Sequence, residues 1–171
     1  TGGTYDLALS GSGFFTVSVT DKAGEVHTRY TRDGRFHLTK DGLLVDADGN
    51  AVQGQNGNIT IDPSSKNVSI SATGQITADG ELVDTLNIVD FEDYDYLKKY
   101  GDTMYEPVDG ATTKDAEGEI LQGYTEQSNV NVVREMVDMI TITRAYEASQ
   151  KVIHSYDSML DKSVNQVGAL K

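Results

Sequence analysis

Apolar and polar residues alternate differently in the two parts of this chain. Over residues 1–127 short runs alternate apolar with polar side chains and are separated by turn residues. This alternation, with a period of two, is typical of short β-strands that bury one face. Over residues 128–171 there is no proline, and the only glycine is Gly168. The pattern therefore predicts a β body over residues 1–127, followed by a long helix over residues 128–171.

The β body is divided by repeated Asp-Gly dipeptides. They occur at 33–34, 41–42, 48–49, 79–80 and 109–110. Glycine supplies positive φ at hairpin corners at little steric cost, so these pairs predict tight turns. Strands are predicted at 7–10, 15–19, 26–30, 35–39, 43–46, 58–62, 67–71, 75–77, 81–83, 86–91 and 120–124. Residues 92–99 are predicted to form a helical turn, and residues 109–119 the most loop-like stretch. The fold class is thus mainly β, an irregular antiparallel domain of short strands and hairpins, with a long C-terminal helix.

Apolar side chains recur every seven residues along the predicted helix. The column comprises Val132, Met139, Tyr146, Ile153, Leu160 and Val167. The positions four residues later are apolar only at the ends of the series, so the pattern is half of a heptad seam. At a rise of about 1.5 Å per residue the helix would be roughly 50–55 Å long, which exceeds the usual three turns. We interpret the column as an assembly interface in half of a terminal coiled coil. A terminal helix packed on its own domain is the alternative.

Three polar residues precede the first apolar residue of the column. Ser128 and Asn129 are good N-caps, because their side-chain oxygens can accept from unpaired first-turn N–H groups. Asn131, together with Asn129, is expected to cap and orient the helix as it leaves the body. These residues are the candidates for fixing the start of the helix.

The negative charge lies entirely in the β body. Residues 1–129 contain 9 Lys and Arg against 22 Asp and Glu, a net charge of −13, whereas residues 130–171 contain 5 of each. An acidic body repels nucleic acid and anionic lipid, so no nucleic-acid partner is expected. The absence of cysteine excludes disulfides and thiolate metal sites. No apolar run is long enough to predict a membrane span.

No catalytic constellation emerges from the polar residues. His27, His37 and His154 share no metal-ligand spacing, and ordinary strand and helix-flank positions account for them better than a paired site. Asp46-Ala47-Asp48-Gly49-Asn50 lacks the glycine and glutamate positions of a calcium loop, so a hairpin turn is favoured. Gly11-Ser12-Gly13 does not match a nucleophile elbow. The acidic group at residues 92–95 has no surroundings that would position a substrate. We predict no enzyme, cofactor or metal.

Three stretches resemble the hook-basal-body proteins of the bacterial flagellum. They are LALSGSGFFTV (7–17), YTRDGRFHLTKDGLLVDADGNAVQG (30–54) and LQGYTEQSNVNVVREMVDMITITRAYEASQKVIHSYDSMLDKSVN (121–165). The combination of SNVNVV with RAYE is similar to the C-terminal signature of rod and hook proteins. Within the family the chain looks most like the distal rod members, with proximal rod or hook-type proteins as the alternative.

The resemblance implies a structural subunit that assembles with itself and with other rod and hook proteins into a helical tube. It implies export through the flagellar type III apparatus without a cleaved signal peptide, and a place in the basal body, in the periplasm or cell wall. Family members pair their terminal helices as a coiled coil. The N-terminal partner helix is not present in this sequence, so we expect the chain to be a fragment. A surface or cell-wall binding module is the alternative from another class.

Overall fold

The computed structural model describes residues 1–163, which divide into two units. The first unit is Thr1–Glu126, and the second begins at Gln127. The first consists of short antiparallel strands, and the second contains one helix within its described part. The predicted fold class, mainly β with a long C-terminal helix, is confirmed. The pairing of that helix in a coiled coil remains a prediction.

The first unit contains fifteen strands within the described residues. In chain order they are β1 (Leu7–Ser10), β2 (Phe14–Thr20), β3 (Val26–Thr31), β4 (His37–Leu38), β5 (Leu44–Val45), β6 (Ala51–Gly54), β7 (Gly57–Asn58), β8 (Val68–Ile70), β9 (Gln75–Ala78), β10 (Glu81–Thr85), β11 (Ile88–Phe91), β12 (Leu97–Tyr100), β13 (Met104–Pro107), β14 (Thr113–Asp115) and β15 (Glu119–Gln122). A single 3-10 turn, Tyr94–Tyr96, lies between β11 and β12.

Three sheets form from these strands. In the largest, neighbouring strands follow the order β12-β13-β3-β2-β6-β5-β4, while β11 joins β2 to β14 and β7 pairs with β6. A three-stranded sheet has the order β10-β9-β8, and β1 pairs with β15. All these pairs are antiparallel, as expected for a chain of hairpins.

Strand β2 lies at the centre of the body and is buried on both faces. Phe15 and Val17 point into the main core, and Phe15 contacts Phe36 edge to face, with ring centroids 5.2 Å apart. On the opposite face Phe14 meets Phe91 and Tyr105 in similar edge contacts at 6.0 and 5.5 Å. Burial on both sides explains why β2 carries apolar residues at consecutive positions.

The two ends of the body are held together. Strands β1 and β15 pair so that Leu9 lies opposite Ile120. The side chain of Gln122 donates to the carbonyl of Thr4 at 2.9 Å and accepts from the amide of Ile70 at 3.1 Å. One glutamine thus links the start of the chain to the three-stranded sheet.

Several strand predictions need correction. Residues 109–119, predicted as the most loop-like, contain β14 and the first residue of β15. Residues 97–107 form the unpredicted hairpin β12–β13, although the 3-10 turn before it confirms the expected helical turn. The predicted strand at 35–39 shrinks to His37–Leu38, and the strand predicted at 58–62 is wrong, because β7, Gly57–Asn58, overlaps it only at Asn58.

Most Asp-Gly pairs form the predicted corners, but one has a different role. Gly42, Gly49, Gly80 and Gly110 have φ between +83° and +98°. Gly34 is not in the left-handed region. It lies instead against the backbone of β1, where a Cβ atom would overlap the carbonyl oxygen of Leu7. Gly34 is therefore required for close approach of two backbones rather than for a turn.

The helix of the second unit, α1, spans Val132–Lys162. Its N-cap is Asn131, whose side-chain oxygen accepts from the amide of Arg134 at 3.1 Å. Ser128 accepts instead from the amide of Val130 at 3.2 Å, before the helix begins. The prediction of Ser128 and Asn129 as N-caps is thus corrected in favour of Asn131. Among the described residues, no helix combines the length and apolarity needed to cross a membrane.

Candidate functional site

Helix α1 carries many large apolar side chains but buries none of its residues. Its Val, Ile, Leu, Met and Tyr side chains are each at least 53% exposed. The described members of the seven-residue column all belong to this surface: Val132, Met139, Tyr146, Ile153 and Leu160. The sixth member, Val167, lies outside the described residues. Exposed apolar surface of this extent marks an interaction site, and the column as its contact face stays a prediction.

The first turns of α1 have their apolar residues on one side. At 3.6 residues per turn these side chains fall within an arc of about 160°. We call them the N-terminal patch: Val132, Val133, Met136, Val137, Met139 and Ile140. The other side of the same turns carries Arg134, Glu135, Asp138 and Thr141. This part of the helix is strongly amphipathic.

The later turns of α1 are equally amphipathic, but with a different orientation. Their apolar side chains fall within an arc of about 140°. We call them the C-terminal patch: Ile142, Tyr146, Val152, Ile153, Tyr156, Met159 and Leu160. The other side carries Glu147, Gln150, Lys151, His154, Asp157 and Ser158.

The two patches lie on nearly opposite sides of the helix. With about 100° between successive residues, their centres are roughly 160° apart around the axis. The change of side occurs between Ile140 and Ile142. The seven-residue column runs along the edge common to both patches, so the column alone hides this change. The change of side was not predicted from the sequence, although the polar residues opposite each patch indicate it.

Two aliphatic hydroxyl groups near the patches are already hydrogen-bonded inside the helix. Thr143, at the edge of the N-terminal patch, donates to the carbonyl of Met139 at 2.9 Å. Ser149, among the residues of the C-terminal patch, donates to Ala145 at 2.9 Å. Such bonds satisfy polar atoms without solvent. A partner can therefore cover Thr143 and Ser149 without leaving either hydroxyl group unpaired.

In the body, the buried carboxylate of Asp90 joins three elements. Its Oδ1 accepts from the hydroxyl of Tyr94 and the amide of Phe91, each at 2.8 Å, and its Oδ2 lies 3.2 Å from Nζ of Lys114. Burial raises the pKa of Asp90, but hydrogen bonds from Ser12, Tyr94, Phe91 and Lys114 outweigh it and lower the pKa to about 2. The Asp90 carboxylate links β11 to β14 and to the 3-10 turn. Because it is fully buried, it offers no exposed surface to a substrate.

Arg32 binds the loop between β1 and β2. Its Nη1 donates to the carbonyls of Gly11 and Gly13 at 2.9 Å, and Nη2 donates to Leu9 at 3.2 Å. Its Nε donates to Glu126 at 2.9 Å. The guanidinium thus fixes the Gly11–Gly13 loop and the last residue of the body, in the fork geometry that only arginine offers. The sequence reasoning did not identify this residue.

One group of partly exposed side chains offers the ligand types of a cation site. Donor atoms of Asp21, Glu25 and His27 lie within 4.8 Å of one another on the β2–β3 hairpin. The carboxylate of Asp21 already closes that turn, since Oδ1 accepts from the amides of Ala23 and Glu25 at 2.8 and 2.9 Å. The hydrogen bond from Glu25, followed by contacts with His27 and Ala23, lowers the pKa of Asp21. The geometry is that of a turn closed by hydrogen bonds to the Asp21 carboxylate.

The other polar residues singled out in the sequence have structural positions. His27 lies opposite Val19 and His37 opposite Val45, in different strand pairs. His154 is exposed on α1. The histidines are therefore not brought together.

Two acidic stretches close local turns. Asp46 Oδ1 accepts from the amides of Asp48 and Asn50 at 2.9 and 2.8 Å, which confirms the hairpin interpretation of that segment. Asp93 accepts from the amide of Asp95 at 2.9 Å and caps the 3-10 turn. Their carboxylates serve the backbone at those positions.

The β body and the helical segment each match a known protein family model. Residues 8–78 match the family model described as flagellar hook protein FlgE/F/G D1 domain. Residues 121–167 match the model described as flagellar basal body rod FlgEFG protein C-terminal. The second match includes the whole of α1 and both of its patches.

Individual relatives agree with these matches. The chain is 35% identical over 175 residues to flagellar basal-body rod protein FlgG of Buchnera aphidicola subsp. Schizaphis graminum, covering 95% of this chain and 65% of that protein. It is 33% identical over 184 residues to FlgG of Bacillus subtilis, covering 96% and 66%. It is 35% identical over 172 residues to flagellar basal-body rod protein FlgF of Caulobacter vibrioides, covering 99% and 68%. The chain thus spans about two thirds of the length of these relatives, and it belongs to the family of flagellar basal-body rod proteins.

Proposed function

We propose that this protein is a structural subunit of the flagellar basal-body rod, with a role in motility and no enzymatic activity. The observation that carries the proposal is the exposed apolar surface of α1, which lies inside the segment matched by the rod-protein C-terminal family. A helix with that much apolar surface gains stability when other helices cover it. The partners are further copies of this chain and other rod and hook proteins.

The proposed location is the flagellar basal body, reached by type III export without a cleaved signal peptide. The names of the relatives support the basal body as the location. A distal rather than proximal place in the rod rests on the resemblance described above. Relatives named FlgG and FlgF match the chain at the same 35% identity, so this finer placement remains a prediction.

The experiment is complementation of a strain that lacks the gene. Ile153→Asp and Leu160→Asp place a charge in the C-terminal patch, and we expect each to abolish rod assembly, seen by electron microscopy of purified basal bodies, and swimming. Ser158→Asp adds the same charge on the polar side of the same turns and is the matched control. Thermal unfolding of the purified variants checks that the body remains folded. Normal rods with both Ile153→Asp and Leu160→Asp would contradict the proposal.

A further inference from the structure

The tip of the β6–β7 hairpin contains a dipeptide that can react with itself, Asn56-Gly57. Asn56 is the only asparagine in the chain that precedes a glycine, and five of the others precede valine or isoleucine. A β-branched side chain is stiff and crowds the peptide nitrogen of its own residue, whereas glycine leaves that nitrogen open and its backbone mobile. The nitrogen of Gly57 is therefore the one best able to approach the side-chain carbon of the preceding asparagine.

The surroundings of this dipeptide admit water. Asn56 and Gly57 are both exposed, and they lie where β6 ends at Gly54 and β7 begins at Gly57. Apart from the adjacent residues, no atom lies within 4 Å of the position that a Cβ of Gly57 would occupy. The reactive groups are thus in a short, open turn, and no packed side chain blocks them.

The side chain of Asn56 is held by a buried carboxylate. Its Nδ2 donates to Oδ1 of Asp84 at 2.9 Å, and Asp84 is 8% exposed. The same oxygen accepts from the amide of Thr85 at 2.7 Å. The register of β10 with β9 shifts between Leu82 and Asp84, and a bulge of this kind re-aims a side chain. Asp84 therefore links β10 to the tip of the hairpin.

This link leaves no place for a second negative charge. A Cβ at Gly54 would overlap Oδ2 of Asp84, so the carboxylate lies directly against the hairpin backbone. The amide of Gln55 donates to the carbonyl of Thr85 at 2.9 Å beside it. Within the described residues, no lysine, arginine or histidine forms an ion pair with Asp84. A carboxylate at position 56 would face that of Asp84 without a counter-ion, and like charges in one site repel.

We propose that Asn56-Gly57 is a site of spontaneous deamidation, that Asp84 slows the reaction, and that the product detaches the hairpin tip from β10. Hydroxide removes the proton from the nitrogen of Gly57, which then attacks Cγ of Asn56. The bond from Cγ to Nδ2 breaks, and Nδ2 leaves as ammonia after taking a proton from water. This inference goes beyond the proposed function and does not depend on it.

The second step of the proposed reaction is the opening of the resulting succinimide ring by water. Attack at Cγ gives aspartate, and attack at the main-chain carbonyl carbon gives isoaspartate. Neither step needs an oxidant or an enzyme. Both products carry a carboxylate in place of the amide of Asn56, so the hydrogen bond to Asp84 is replaced by repulsion.

Asp84 slows the reaction in two ways. Nδ2 must leave Asp84 before Cγ can meet the nitrogen of Gly57 at about 3–3.5 Å in an aligned geometry. The charge of Asp84 also opposes the negative charge that develops during the attack. We expect Asn56 to deamidate at least about tenfold more slowly in the folded chain than in the same chain unfolded in urea.

The first test follows deamidation in the purified full chain at mildly alkaline pH by peptide mass mapping. Asn56 is expected to be converted before any other asparagine, into both aspartate and isoaspartate. Asn58, exposed on the same hairpin but followed by Ile59, is the internal control and should stay intact. Asp84→Asn should accelerate the conversion in the folded chain and leave the rate in urea unchanged, and circular dichroism checks that this variant folds.

Three results of this test would overturn the proposal. An intact Asn56 would exclude the site, and conversion of Asn58 at the same rate would remove the role of the glycine. Equal rates in wild type and Asp84→Asn would remove the control by Asp84.

The second test measures the effect of the product through Asn56→Asp, which has the same charge. Amide exchange at Gln55 and Thr85 is expected to quicken about tenfold, since both amides bond within the contact between hairpin and β10. Asn58→Asp adds the same charge to the same hairpin and is the matched control, with exchange as in wild type. Asn56→Ala, which removes the hydrogen bond without adding charge, should have a smaller effect. Unchanged protection of Gln55 in Asn56→Asp would show that the tip stays attached and would reject the proposed consequence.

Discussion

Asp90 and Lys114 lie directly opposite each other in the pair formed by β11 and β14, with Oδ2 of the aspartate 3.2 Å from Nζ of the lysine. The two ends of this ion pair have different environments, because the side chain of Asp90 is fully buried and that of Lys114 is 49% exposed. Asp90 also accepts from Tyr94 and Phe91. Replacing Asp90 therefore removes more buried interactions than replacing Lys114.

We predict that Asp90→Ala destabilises the body more than Lys114→Met does. Removing Asp90 leaves the buried donors around it unsatisfied, at a cost of about 2 kcal/mol in the free energy of unfolding. Removing Lys114 leaves the hydrogen bonds from Tyr94 and Phe91 to Asp90 in place, and the lysine itself is half exposed, so the loss is smaller. Urea unfolding of the full chain measures both, and a larger loss for Lys114→Met would reverse the interpretation.

Acid should weaken this cluster within a defined pH range. The pKa of Asp90 is about 2 in the folded protein, below the value of about 3.9 for an unfolded aspartate. The ionised carboxylate therefore contributes stability above about pH 4, and this contribution is lost as the pH falls towards 2. The difference in unfolding free energy between wild type and Asp90→Asn should shrink over that range. Asp115→Asn, which removes an exposed charge from the neighbouring strand β14, is the control. A wild-type to Asp90→Asn difference that stayed constant down to pH 2 would refute the assignment.

Arg32 should not be replaceable by lysine. A lysine ammonium cannot reach the three carbonyls of the β1–β2 loop and Glu126 together, so Arg32→Lys is expected to cost about 2 kcal/mol in the free energy of unfolding. The control is Arg35→Lys, since Arg35 is 63% exposed and pairs only locally with Asp33. Amide exchange should quicken around Gly11 and Gly13 in the first variant alone. Equal stability of the two variants would show that the loop does not depend on the guanidinium.

Alanine substitutions at Gly34 and Gly24 distinguish two causes of lost stability, steric overlap and backbone strain. Gly34→Ala would place a methyl group on the carbonyl oxygen of Leu7, which requires β1 to move, and we expect a loss of about 3 kcal/mol. Gly24 has φ +88° but open space around it, so Gly24→Ala should cost only about 1 kcal/mol through backbone strain. Thermal unfolding of the two variants tests the order. A more damaging Gly24→Ala would mean that backbone conformation, not space, limits substitution at these two glycines.

Local signals in the sequence were enough to predict the fold class. Alternating apolar residues and Asp-Gly corners act over a few positions, and the absence of proline from α1 is equally local. Strand β14 was missed because Thr113, Lys114 and Asp115 are all exposed. Its pairing with β11 depends on backbone hydrogen bonds, which any side chain permits. An edge strand of this kind has no apolar alternation to read.

The anchoring residues of the body could not be predicted for a different reason. Arg32 contacts Glu126 across 94 positions of sequence. Asp90 meets Ser12 from the β1–β2 loop and Lys114 from β14. Contacts between residues so far apart in the chain leave no pattern among neighbouring residues from which they could be predicted. The opposite orientation of the two helix patches was readable from the sequence, but searching for a seven-residue column selects the one line of residues that both patches share.

The start of α1 gives a direct test of the corrected N-cap. Asn131→Ala removes the oxygen that accepts from Arg134, and we expect the first turn to lose about 1 kcal/mol of stability. The amide of Arg134 should then exchange roughly fivefold faster. Ser128→Ala and Asn129→Ala are the matched controls, because neither side chain caps a turn of the described helix. Hydrogen exchange measured residue by residue distinguishes them, and faster exchange at the first turn in Ser128→Ala than in Asn131→Ala would move the helix start back to the position first predicted.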